Sequence, residues 1–219
     1  MNKTLTHLAV VAVCALPLAA VAQNTTWTNY SGSDNGWLNP TNWNNGVPVA
    51  TSTALLNTVP ASTSYVVDHS GTNTMQALRI GNSTSQTVTL NVGAGSELTV
   101  ANSSRPAGLG DNTFQTTAGT RMNITGAVIM AGGVYFQGDS HINIHGGSLI
   151  ISNRSSRIND TGSINVLNGG RFVSQSSFEL AGGGGAGDRP VLNVMDGSAV
   201  FGGISAGARG SGTVVIAAS

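Results

Sequence analysis

The chain has 219 residues; only 8% are charged, and nine Lys plus Arg cancel nine Asp plus Glu. That balance speaks against an electrostatic grip on nucleic acid or on an anionic membrane surface. Hydrophobic residues reach 40%, enough to bury a core when regularly spaced, so the low charge does not imply disorder.

The first segment reads as a secretory signal peptide. Met1-Asn2-Lys3 supplies the positive start, 8–18 the apolar run, and Ala20-Val21-Ala22 the small-residue cleavage site. The run is too short to span a bilayer comfortably, so residues 1–22 are expected to be removed, leaving no membrane span in the mature chain. Cys14 and Lys3, the only cysteine and the only lysine, lie in this segment. The mature chain is therefore expected to leave the cell without disulfide stapling.

Residues 23–76 hold all three tryptophans, Trp27, Trp37 and Trp43, among turn signals such as Asn35-Gly36 and Asn44-Asn45-Gly46-Val47-Pro48. Ala54-Leu55-Leu56 and Tyr65-Val66-Val67 are strand candidates. This segment is expected to form an N-terminal β cap.

From 77 to 219 one phrase recurs: apolar-Asn-apolar, a turn, then a second apolar patch. The marks are Asn91, Asn123, Asn143, Asn165 and Asn193, spaced by 32, 20, 22 and 28 residues, with Val215 following 22 later between Val214 and Ile216. Four residues after each Asn stands Gly95, Ala127, Gly147, Gly169 or Gly197, and seven after stands Leu98, Met130, Ile150, Phe172 or Val200. Leu78-Arg79-Ile80, Phe178-Glu179-Leu180 and Gly203-Ile204-Ser205 read as closing strands. Fixed self-similarity of this kind marks stacked units rather than one globular core. About three short strands, each rising ~3.3 Å per residue, fit one circuit of this length, with glycine at the corners. The aliphatic neighbours of each Asn point inward and the Asn outward, because side chains alternate along a strand. The expectation is an all-β parallel β-helix (β-solenoid) with an N-terminal β cap and no helix of ten residues or more.

Trp37-Leu38-Asn39-Pro40-Thr41-Asn42-Trp43-Asn44-Asn45-Gly46-Val47-Pro48, with coils such as Ser163-Ile164-Asn165-Val166-Leu167-Asn168-Gly169-Gly170, resembles the exported β-solenoid regions of bacterial autotransporter-like and PEP-CTERM-type surface proteins. The likeness covers nearly the whole mature chain. It implies a solenoid displayed at the cell surface or released from it, serving as a stalk, adhesin or surface-layer component. Right-handed coiling follows from the resemblance and from the handedness of parallel crossovers. The chain departs from the family in showing neither an outer-membrane barrel nor a Pro-Glu-Pro sorting tail.

The aligned Asn residues are expected to form a structural amide ladder, with contact to a repeating ligand such as a polysaccharide as the alternative. Asp139, Asp160 and Asp188 precede three of these Asn by four or five residues, as turn residues would; calcium, which takes oxygen ligands from turns, is the alternative. Beyond that, no cofactor is expected. His141 and His145 stand four apart on a strand, ~13 Å, too far to share one zinc ion. Trp37 and Trp43 are either part of the cap's core or a contact for glycans. The glycine runs lack the ending that a phosphate loop requires. Segment 213–219 begins another coil, with Val214 and Ile216 as an assembly edge, so the solenoid is expected either to continue in a longer chain or to pair there with another subunit.

These features predict a secreted, non-catalytic structural or adhesive solenoid that self-associates, end to end into filaments or a surface layer, or joins other cell-surface components. A carbohydrate-binding module is the alternative. A polysaccharide lyase or hydrolase ranks below it, because paired carboxylates or a basic residue beside an acidic metal site are not evident.

Overall fold

Each phrase of the repeat winds into a circuit of short strands, and successive circuits stack in parallel register. The computed structural model describes residues 23–30, 34–56, 64–81, 86–101, 114–116, 119–152, 155–181, 187–206 and 210–217. The signal segment with Lys3 and Cys14, most of an insertion at 103–117, and the glycine run 182–186 lie outside the described residues.

The chain enters through β1 (Gln23–Thr26) and β2 (Ser52–Leu56), then runs three strands at a time. The first circuit is β3 (Tyr65–His69), β4 (Thr72–Met75) and β5 (Ala77–Ile80); the second is β6 (Val88–Val92), β7 (Glu97–Val100) and β8 (Phe114–Thr116). The third is β9 (Thr120–Ile124), β10 (Ala127–Met130) and β11 (Val134–Phe136), and the fourth is β12 (His141–His145), β13 (Ser148–Ile151) and β14 (Ser156–Ile158). After β15 (Ser163–Leu167), the long β16 (Arg171–Leu180) serves two walls at once. The same holds for β17 (Val191–Met195) and β18 (Ser198–Ala206), and β19 (Thr213–Ala217) opens the next rung.

Three walls result. β3, β6, β9, β12, β15, β17 and β19 form a seven-stranded parallel first wall. β4, β7, β10, β13 and the leading halves of β16 and β18 form the second. β1, β2, β5, β8, β11, β14 and the trailing halves of β16 and β18 form the third, so the foreseen closing strands share one wall. The first circuit begins at Tyr65, within the segment read as cap. The strands of that segment are already in register with the coils above.

Alternation fills the interior. On the first wall Leu90, Met122, Ile142, Ile164 and Leu192 stack in one inward column, and Val92, Ile124, Ile144, Val166 and Val194 in a second. All ten are buried, and each such side chain contributes about 1.5–3 kcal/mol relative to exposure. No circuit could seal these residues alone.

The second apolar patch corrects the sequence reading. The seven-residue spacing marks no single column, because the corner between first and second walls varies in length. The true inward columns are Leu98, Val128, Leu149, Phe172, Ala199 and Val100, Met130, Ile151, Ser174, Phe201. Ile150 and Val200 therefore face outward. The four-residue spacing likewise gives way to Ser96, Gly126, Gly147, Gly170 and Gly197, each immediately before its second-wall strand. Positive φ is not the reason for these four glycines. A Cβ on Gly126, Gly147 or Gly170 would collide with backbone carbonyl oxygens of the rung below, and one on Gly197 would press on Val166 and the Gly170 carbonyl. The close stacking of the corner itself demands glycine.

The cap is built on aromatic rings. Trp27 and Trp37 pack edge-on against Trp43 with centroids 5.1 and 4.8 Å apart. Asn39 caps the 3₁₀ turn Pro40–Asn42, its side chain accepting from Thr41 N at 3.0 Å, with Pro at the first helical position. Buried Asn42 donates to the carbonyls of Gly36 at 2.9 Å and Asp34 at 3.1 Å. The Asn-Pro-Thr-Asn motif is thus a capped turn under the solenoid. Trp37 N donates to Asp68 O at 2.9 Å and Asp68 N to Asn35 O at 2.7 Å, which places this turn beneath the first wall.

Candidate functional site

The outward face of the first wall carries the regular polar chemistry. In every strand the inward aliphatics leave the Asn between them facing out, and parallel register brings the five together. Asn193 Nδ2 donates to Asn165 Oδ1 at 2.7 Å, Asn165 to Asn143 at 2.9 Å, Asn143 to Asn123 at 2.9 Å, and Asn123 to Asn91 at 2.8 Å. Asn91 Nδ2 donates to Asp68 Oδ1 at 2.7 Å. The ladder foreseen in the sequence therefore exists, and it has one polarity: every amide points its NH₂ toward the cap, and a carboxylate receives the last one. Aligned bonds of this kind polarise one another.

Two residues before each Asn lies a second outward column: Thr89, Arg121, His141, Ser163 and Val191. Here the structure brings together residues that sequence reasoning left apart. Arg121 Nη2 donates to Asp139 Oδ2 at 3.1 Å, and Arg121 Nη1 to the Asp139 carbonyl at 2.7 Å. Asp139 Oδ1 lies 2.6 Å from His141 Nε2, and His141 Nδ1 lies 2.7 Å from Ser163 Oγ. Asn165 Nδ2 stands 3.3 Å from the same Oγ. The Arg121 guanidinium, and then the His141 bond, hold the Asp139 carboxyl below the usual carboxylate range. An ionised Asp139 accepts from Nε2–H, leaving Nδ1 as the acceptor for the Ser163 hydroxyl. Listing the residue two before each Asn would have placed Arg121, His141 and Ser163 in one column. The spacing of the aspartates drew attention elsewhere.

Those aspartates do share the corner between third and first walls, with an offset. Asp160 Oδ2 accepts from Gly138 N at 2.7 Å, so it aligns with 138 rather than with Asp139. Asp160 takes a positive φ of 56°, a turn role suited to Asp, and Asp188 is buried. Among the described residues no three His, Cys, Asp or Glu side chains gather to hold a metal ion. His145 pairs with Asn168 on the next rung, away from the His141 contacts.

Trp37 and Trp43 are 0% and 4% exposed. Trp43 Nε1 donates to Trp37 O at 2.8 Å and Trp37 Nε1 to Asn73 Oδ1 at 3.2 Å. Rings enclosed in this way offer no face to a glycan; of the two alternatives the sequence left open, their burial fits the core. Val214 and Ile216 continue the two inward columns onto β19 and are exposed there.

The chain matches no family model, no curated protein and no solved structure. The protein is a parallel β-solenoid, all β apart from one 3₁₀ turn among the described residues.

Proposed function

We propose that the protein is an exported structural or adhesive element of a bacterial cell surface, of the autotransporter-like or PEP-CTERM-type kind that its sequence resembles, and that it associates through the β19 face. One contrast carries this reading. Leu192 and Val194 are 0% and 5% exposed, whereas their register partners Val214 and Ile216 are 41% and 77% exposed. Ile204, the register partner of buried Phe178, is likewise exposed on the adjoining β18.

A further rung of matching shape buries this layer as each lower rung buries its neighbour. Covering a single Val or Ile contributes about 1.5–3 kcal/mol, and a second copy of the chain can supply the cover. The test is light scattering and electron microscopy of the mature chain over a range of concentrations. Wild type forms elongated oligomers, and Val214→Lys with Ile216→Lys returns it to monomers. A monomeric wild type at every concentration, or assembly that survives the double substitution, rejects the reading.

A further inference from the structure

We propose that Ser163 is an activated nucleophile and that the first wall bears a hydrolytic site for short-chain carboxylic esters. This goes beyond the structural role proposed above and departs from the sequence expectation of no catalysis. It rests on the hydrogen-bonded series Arg121, Asp139, His141, Ser163, which has the connectivity that nucleophilic catalysis requires: a hydroxyl on a base, and that base oriented by a third group. The donor and acceptor roles agree at every step. Arg121 donates to Asp139, His141 Nε2–H to Asp139, and Ser163 O–H to His141 Nδ1, while Asn165 Nδ2–H points at a remaining lone pair of Oγ.

In the reaction Ser163 Oγ attacks the ester carbonyl carbon as its proton passes to His141 Nδ1. The C–O bond to the alcohol breaks, and the departing oxygen takes that proton. Water then attacks the acyl carbon, giving its proton to Nδ1; the bond to Oγ breaks, and Oγ recovers the proton. A donor for the carbonyl oxygen as it gains charge is the Asn165 N–H that faces Oγ at 3.3 Å, which turns from Oγ to that oxygen as the attack proceeds, while the other N–H stays on Asn143 Oδ1 at 2.9 Å. Ser163 and His141 are catalytic residues here, and Asp139 and Arg121 position the imidazole. The site lies on the outward face of the first wall, with the Asp139 side chain 52% and the His141 side chain 29% exposed, which suits a small acyl group presented at the surface. Both catalytic residues project outward, so substituting them leaves the inward columns untouched.

The test uses the purified mature chain with a fluorophosphonate probe, read by mass spectrometry, and with p-nitrophenyl acetate. Labelling is expected at Ser163, and Ser163→Ala abolishes it. His141→Gln slows both labelling and ester turnover about 100-fold or more. Asp139→Asn lowers kcat by at least a similar factor with KM little changed, a split that loss of folding would not produce. Circular dichroism verifies that each variant keeps its strands. Failure of the folded wild type to label, or labelling unaffected by His141→Gln, overturns the proposal; kcat unchanged in Asp139→Asn overturns the relay. Oligomer formation is read separately, so this outcome is independent of the assembly test.

Discussion

Asp68 Oδ1 receives the Asn91 amide at 2.7 Å, and through it the whole ladder of the first wall ends on a negative charge directly above the cap. Asp68 is the residue that the cap grips through its backbone, by its bonds to Asn35 and Trp37. One residue therefore joins the cap to the amide column.

An interior amide takes part in two ladder bonds and the top one in a single bond. Asn143→Ala removes the bonds to Asn123 and Asn165, whereas Asn193→Ala removes only the one to Asn165. At about 0.5–1.5 kcal/mol net per bond, the interior substitution costs ~1–3 kcal/mol and the terminal one about half that. Asp68→Asn keeps the acceptor and changes stability by less than ~0.5 kcal/mol. Urea midpoints for the three variants check the order, and equal losses at 143 and 193 would contradict a bonded ladder.

His69 makes the fold sensitive to acid. It is buried beside Trp37, with ring centroids 5.6 Å apart, and among the described residues neither ring nitrogen has a partner. Burial pushes its pKa from 6.5 down to about 4. The unfolded chain therefore takes up a proton as pH falls below 6.5, while the folded chain resists until about 4. Stability is complete above that window and declines through it, by ~2 kcal/mol at pH 5. Asp34 and Asp139, whose carboxyls are held low, contribute stability that is lost at still lower pH. His69→Val fits the inward column of Val92 and should flatten the decline between pH 7 and 5, measured by urea unfolding at each pH.

The corner glycines divide into two kinds. Gly147→Ala drives a methyl into the carbonyls of Ile124 and Gly126, and a loss of ~2–4 kcal/mol is expected, because the obstacle is backbone on a packed rung. Gly187→Ala meets nothing within 4 Å and has no positive φ, so it should be neutral or stabilise by about 0.4–1 kcal/mol. Thermal midpoints check the contrast. A fall of about 2–4 °C per kcal/mol is expected for a chain of this size.

Trp43→Ala removes the ring shared by Trp27 and Trp37. A cost of ~3–5 kcal/mol follows from truncating a buried tryptophan, visible as loss of near-ultraviolet dichroism at a lower urea concentration. Any reduced retention on glycans would then accompany unfolding of the cap. Normal stability in this variant would contradict the core assignment.

The parts legible in the sequence were those fixed by period alone. Asn between two aliphatics sets strand, inward face and register together, which is why the five amides stand where their spacing placed them. The second wall was less legible, because a corner of variable length separates it from the Asn mark, so constant offsets led to the outward residues Ile150 and Val200. The tryptophans stood between core and platform until their burial decided it. The relay of Arg121, Asp139, His141 and Ser163 arises from neighbours on three rungs and a corner, and its bonds depend on side-chain directions that linear spacing does not carry. His69 illustrates the same limit, being a polar residue in an otherwise aliphatic column.

Because every amide passes the same bond in the same direction, each layer presents to the one above what it received from the one below. Segments such as the 22 residues separating Asn143 from Asn165 are thus modular. A gene could duplicate or excise one whole turn and preserve both the dipole direction and the oily seam, while a shift of a single residue would turn both inside out.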